Sequence, residues 1–301
     1  MGYRNIVVEG SGKLYCNNKQ LIFEGTEHHK VPIEDINSVL IESKQSTITT
    51  ACLSKLVEAK VTVFVCDDKH LPNGVMFSYS QHSRQLGVMK LQDRLTAPAK
   101  KRIWQQIIRA KIANQALCLQ YCRLDDGANY LQMMEQKVIT GDDTHLEAPA
   151  AAYYFRTIFG NGFSRNDDVD GRNQALNYGY AIFRGQFARL IATYGFFPSY
   201  GIYHRSELNA FNLADDLMEP FRPVVDLYVA TNVQEDKYLN TKIKHDLYNL
   251  LNVNIEVCGQ KYSVCYAAEK LVQSLSKCME DYQVHKLLVP KLLQWQQHSY
   301  E

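Results

Sequence analysis

Residues 176–194 read "LNYGYAIFRGQFARLIATY". Leu176, Tyr180, Phe183, Phe187, Leu190 and Tyr194 recur in steps of four, three, four, three and four, the period of a buried amphipathic helix. Gly195 and Pro198 follow and supply a stop. A second stripe stands upstream, with Ile103, Ile107, Ala110, Leu117 and Tyr121 on one face. It is entered through Pro98, which suits a first helical turn. Helical patterns also cover 236–252 and 262–290. From about residue 98 the chain therefore predicts a helical domain.

Before residue 80 the pattern is that of strands. "NIVVEG", "KLYC", "QLIFEG", "SVLIES" and "VTVFVCDD" are short β-branched or aromatic runs, divided by the turn residues Asn17-Asn18, Gly25 and Pro32. One helix interrupts them in "TITTACLSKLVEAK", with Thr50 as N-cap and Leu53, Leu56 and Val57 at helical spacing. Short strands at regular intervals predict a small sandwich or twisted sheet. The expected fold class is α+β. A small β-rich, sandwich-like N-terminal domain with one helix spans 1–80, a linker spans 81–97, and a larger all-helical domain spans 98–301.

Composition narrows the class. The 301 residues are 46% hydrophobic and 22% charged, as in soluble globular proteins. No run approaches the ~18 apolar residues of a membrane span. "MGYRNIVVEG" has no signal-peptide core, and Ile6 breaks the myristoylation pattern, so a cytoplasmic protein without membrane partners is expected. The eight cysteines form no Cys-x-x-Cys pair, which favours small buried thiols over zinc or disulfides. "EGSGKLYC" lacks P-loop spacing, and no Gly-x-Ser-x-Gly or His-Glu-x-x-His occurs.

The segment 204–223, "HRSELNAFNLADDLMEPFRP", carries Asp215, Asp216 and Glu219 in an apolar run. On a helix these spacings put acids on one face, where like charges repel. Half-buried carboxylates need a counter-charge, and a divalent cation supplies one. The competing reading is a first helical turn, where acids favour the dipole. Glu147 in "GDDTHLEAPAAAYYF" fits a capping box from Thr144, but Pro149 would then lie inside the helix. With Pro149 at the first helical position, Glu147 falls just before the helix and is available elsewhere. His204 alone reads as structural or exposed. One imidazole with two carboxylates, however, suits Mn²⁺ and, with waters, Mg²⁺. From Lys90 to Lys111 seven basic residues face Asp93 alone, either a phosphate-binding face or an ordinary solvated helix.

The run "LNYGYAIFRGQFARLIATYGFFPSYGIYHRSELNAFNLADDLMEPFRP" resembles the CRISPR-associated integrase family, Cas-one, of spacer acquisition. "NYGYA", "GIYH" and "NLADDLMEPFRP" follow in that family's order, and "EAPAAAYYFRTIFGNGFSR" is similar to its first glutamate segment. "VFVCDDKHLPNG" is similar to the form found in type II CRISPR systems. The resemblance covers roughly residues 1–230. It implies a β-rich dimerisation domain, a helical catalytic domain, a homodimer, and a heterohexamer with the small second adaptation protein, Cas-two. It also implies double-stranded DNA as partner, both the fragment to be inserted and the CRISPR repeat, and admits the large type II effector nuclease as another.

Carried over by motif, the resemblance assigns the metal-binding and catalytic positions to Glu147, His204 and Glu219, and a supporting position to Asp216. Lys100, Lys101 and Arg102 are the expected DNA contacts. Where related chains have an arginine five residues after the first glutamate, this chain has Ala152, so no contact is carried over from there. The implied reaction is attack of a DNA 3′-hydroxyl on a phosphodiester at the repeat boundary, supported by Mn²⁺ or Mg²⁺. A metal-dependent DNA nuclease and a non-catalytic DNA-binding subunit are the alternatives.

Overall fold

The structure, a computed structural model, describes residues 2–68, 72–78, 82–142, 145–235, 239–281 and 284–299. The chain divides into two units, Met1–Gln81 and His82–Glu301.

The first unit holds two four-stranded sheets. β1 (Arg4–Val8), β5 (Ile36–Ile41), β7 (Thr62–Cys66) and β8 (Pro72–Met76) form one in the order β1-β5-β7-β8, parallel except for β8. β2 (Lys13–Asn17), β3 (Gln20–Glu24), β4 (His28–Pro32) and β6 (Thr47–Ile48) form the other in the order β4-β3-β2-β6. Asn18 and Lys19 both take positive φ (48° and 59°), which closes the β2–β3 hairpin in two residues. Val8, Leu14, Leu21, Val39, Cys52, Leu56 and Val63 pack one core from both sheets and from helix α1 (Thr50–Glu58). The α1 cap is Thr49, one residue before the Thr50 expected, because its hydroxyl accepts from Cys52 N at 3.2 Å. β4 escapes the strand pattern because it is an edge carrying exposed His28, His29 and Lys30.

The second unit is helical. It comprises α2 (Gln85–Arg94), α3 (Ala97–Tyr121), α4 (Asp125–Gln136), α5 (Glu147–Phe159), α6 (Gly171–Thr193), α7 (Asn212–Met218), α8 (Arg222–Asn232), α9 (Thr241–Asn249) and α10 (Val264–Asp281). It also carries one hairpin, β9 (Asn254–Val257) with β10 (Gln260–Ser263), between the last two helices. Cys258 and Gly259 form its two-residue turn at positive φ, and Cys258 is exposed rather than buried. Helix α2 lies in the stretch that the sequence pattern assigns to a linker.

Two long helices organise the unit. α6 is buried on nearly every side, not along one stripe, because Tyr178, Gly179, Ile182, Gly185 and Ile191 also face neighbours. It packs against α7, α8, α9 and α10 and stops at Gly195, whose φ is +80°. α3 packs against α4, α5, α8 and the short 3-10 turn Glu219–Phe221 that joins α7 to α8. Ile103, Ile107, Ile108 and Ile112 are fully buried there, each contributing about 2 kcal/mol. One cation, Lys111, lies among them.

Candidate active site

Glu147 is the first residue of α5, two residues earlier than Pro149 suggests. The proline is tolerated because first-turn N–H groups have no intrahelical partner. The side-chain cap comes from Asp142, whose carboxylate accepts from Leu146 N at 2.8 Å and Glu147 N at 3.0 Å. Thr144, the capping alternative, lies outside the described residues.

The three acids of 215–219 do not share one partner. Asp215 is half-buried and paired with Arg184 at 2.9 Å, with Asn209 donating to it at 2.7 Å. Asp216 is fully buried and accepts from Ile202 N (2.6 Å), Tyr203 N (3.0 Å), His204 N (3.2 Å) and His204 Nδ1 (2.6 Å). Glu219 opens the 219–221 turn and accepts from Arg222 Nε at 2.8 Å. Each carboxylate therefore has protein counter-charges or donors of its own.

Gly201 makes the Asp216 arrangement possible. A Cβ on it would lie 2.3 Å from the His204 carbonyl oxygen and 2.9 Å from Asp216 Oδ2. The surrounding loop is tied down by Gln92, which donates to the Phe197 and Tyr200 carbonyls at 3.0 and 2.7 Å and accepts from Phe197 N at 3.0 Å. His204 itself stands edge-on to Trp104 and Tyr203, and those two rings stack 4.3 Å apart.

Lys111 joins the two glutamates. Its ammonium donates to Glu147 Oε1 and lies 2.6 Å from Glu219 Oε2. Burial opposes its charge, yet Glu219 and Glu147 raise its pKa above the ordinary lysine value. Burial likewise opposes ionisation of Glu219, but Arg222 and Lys111 prevail and hold its carboxyl at about 2. The hydrogen bond to Asp216 raises the His204 pKa against its partial burial, and the fields of Asp216, Glu219 and Asp215 add to the effect. Glu147 and Glu219 thus meet on one cation, and His204 lies within the field of Glu219.

Among the described residues, no three His, Cys, Asp or Glu side chains stand close enough together to hold a metal ion with Lys111 placed between the glutamates. The donor set nonetheless fits one. Glu219 Oε2 is buried, and the Lys111 ammonium 2.6 Å away is the cation set against it. Two carboxylates with an imidazole engaged at Nδ1 by Asp216 have the chemistry of a Mn²⁺ or Mg²⁺ site.

The basic run divides. Lys111 is buried at the acids, so it does not belong to an open phosphate-binding face, and Arg109 is exposed but paired with Glu135. Lys101 and Arg102 are exposed. Lys100 Nζ lies 4.8 Å above the Tyr200 ring, and burial, then Arg205, lower its pKa. Phe197, Tyr200 and Tyr203 are exposed in the 197–203 segment. The parts that sequence reasoning missed are Lys111, Arg222, Asp142 and Gln92. Lys111 carries a legible signal, since it continues the Ile103–Ile107 apolar spacing by four residues.

The chain thus joins a β-rich unit of two sheets to a helical unit in which Glu147 and Glu219 meet at Lys111. The family model for CRISPR associated protein Cas1 matches residues 6–251, and the chain belongs to that family. It is 39% identical over 305 residues to the CRISPR-associated endonuclease Cas1 of Neisseria meningitidis serogroup C (strain 8013), covering 100% of both chains. Its fold is similar to that of a casposase bound to an integration product, with TM-score 0.75 and 20% identity over 93% of this chain and 92% of the other. It is similar also to part of a Cas6-RT-Cas1–Cas2 complex, with TM-score 0.74 and 20% identity over 97% of this chain and 36% of that one.

Proposed function

We propose that this protein is a divalent-metal-dependent DNA integrase with endonuclease capability, which inserts short DNA fragments into a CRISPR array by 3′-hydroxyl transesterification. The observation that carries the reading is the convergence of Glu147 and Glu219, from separate elements, on a single cation beside a histidine fixed by Asp216. Membership of the Cas1 family supports it, as does the shared fold with a casposase bound to an integration product.

Glu147, His204 and Glu219 would hold Mn²⁺ or Mg²⁺, which when bound supplies Lewis-acid stabilisation of charge on phosphate and a more acidic hydroxyl nucleophile. Asp216 occupies Nδ1 of His204, leaving Nε2 as the ligating nitrogen. Arg222 keeps Glu219 ionised, as a ligand must be. Lys100, Lys101 and Arg102 position DNA through its phosphates. The partners proposed are double-stranded DNA, a second copy of the chain through the β-rich unit, Cas2 in a heterohexamer, and the large type II effector nuclease, all in the cytoplasm.

The test is product analysis with purified protein, Cas2, a short duplex bearing free 3′-hydroxyls and a supercoiled repeat-bearing plasmid, with Mn²⁺ or with chelator. Metal-dependent joined strands are expected. Shortened strands without joining favour hydrolysis, the activity in the name of the Neisseria relative. DNA binding with neither product would leave a structural subunit.

A further inference from the structure

We infer that Lys111 is a built-in competitor for the divalent cation, a resident ammonium that balances Glu147 and Glu219 and must leave at least one of them when metal loads. The inference rests on the reading of those two glutamates as ligands. Lys111 projects from the same buried side of α3 as Ile107, Ile108 and Ile112, an unfavourable place for an ammonium without anionic partners. It has two, drawn from the start of α5 and from the 219–221 turn. Glu219 has Arg222 as a second cation, but Glu147 has only backbone and Lys111 contacts among its hydrogen bonds and ion pairs within the described residues.

Charge balance sets the affinity for metal. Lys111 and Arg222 against Glu147 and Glu219 sum to zero, so the two acids are neutralised without metal. A Mg²⁺ ion drawn in between the two carboxylates needs their oxygens at about 2.0–2.1 Å, and the ammonium that touches both, 2.6 Å from Glu219 Oε2, stands in that place. Metal affinity is thereby held down, and the ion exchanges with a side chain rather than with water alone. Replacing the ammonium by a neutral side chain leaves the acids at net −1 with Arg222 and raises their attraction for the cation.

Mn²⁺ titration followed by the electron paramagnetic resonance of the free ion tests this, at fixed pH and without DNA. Lys111→Met and Lys111→Gln are expected to bind Mn²⁺ at least about tenfold tighter than wild type, and to melt lower in chelator with the loss recovered by Mn²⁺. Wild-type binding with equal or weaker binding by folded variants overturns the inference and leaves the metal reading standing. Absence of Mn²⁺ binding by wild type and both folded variants removes the metal reading, and this inference with it. Wild-type protein carrying labelled lysine gives a measurement that needs no variant. The Lys111 side-chain resonance must shift on Mg²⁺ loading, and a resonance that stays put while Mg²⁺ binds overturns the proposal.

Discussion

Replacing Asp216 by asparagine strikes both the fold of the site and the chemistry of His204. The wild-type carboxylate is fully buried and accepts four hydrogen bonds, two on each oxygen. An amide retains one accepting oxygen and turns an N–H₂ group toward the other two donors. Either the Ile202 and Tyr203 amides or the His204 amide and ring lose their acceptor. At about 1–3 kcal/mol for each orphaned donor, the cost is about 4 kcal/mol, a fall of roughly 10 °C in melting temperature for a helical unit of this size. The hydrogen bond from the ring is also the largest cause of the raised His204 pKa, so that pKa should fall toward the ordinary histidine value. Thermal melting and histidine NMR titration, with the His204→Ala variant to assign the resonance, measure both. A variant that melts within about 2 °C of wild type and leaves His204 titrating as before would refute the assignment of Asp216 as its positioning carboxylate.

Three further outcomes are expected. Gly201→Ala drives a methyl group against the His204 carbonyl and Asp216, so it should lower both the melting temperature and the His204 pKa by NMR. Buried Asp226, to which Tyr154 and Tyr180 donate, has its carboxyl pushed up to about 6 by burial from 3.8. Between those values the folded state keeps a proton that the unfolded state loses. Stability therefore falls as pH rises through the window, by about 3 kcal/mol, and is flat above it. Chemical denaturation from pH 4 to 7 should show that trend in wild type and not in Asp226→Asn. Lys101→Ala and Arg102→Ala should each reduce the salt slope of DNA binding by about one, measured by fluorescence anisotropy across salt concentrations.

Much of the fold is legible because its two periods are clear. β-branched runs fill the first unit, and three- and four-residue steps mark α3 and α6. The signal fails where environment replaces periodicity. β4 is a polar edge strand, and β8 contains Pro72 and Gly74. The hairpin of β9 and β10 lies between two helical patterns and relies on the positive φ of Cys258 and Gly259. At the site, Glu147, His204 and Glu219 are named through family resemblance, because spacing within one segment cannot show what α3 brings to it. Lys111 belongs numerically to a basic run, yet folding places it among isoleucines and between acids. Asn114, one turn further along α3, donates to the carbonyls of Pro220 and Pro290 at 2.8 and 3.1 Å and accepts from Leu292 N at 2.9 Å. It ties the C-terminal segment to the turn that carries Glu219, a connection between residues more than a hundred positions apart that no local pattern reveals.

The most direct test of a single site made by Glu147, His204 and Glu219 measures strand joining and DNA binding side by side for three variants, Glu147→Ala, His204→Ala and Glu219→Ala. Each must first be shown folded and assembled with Cas2. The account predicts that every variant loses Mn²⁺-dependent joining while binding DNA within a few-fold of wild type, because its DNA grip comes from other residues. Joining that survives in any folded variant, or falls only in proportion to lost DNA binding, would contradict it.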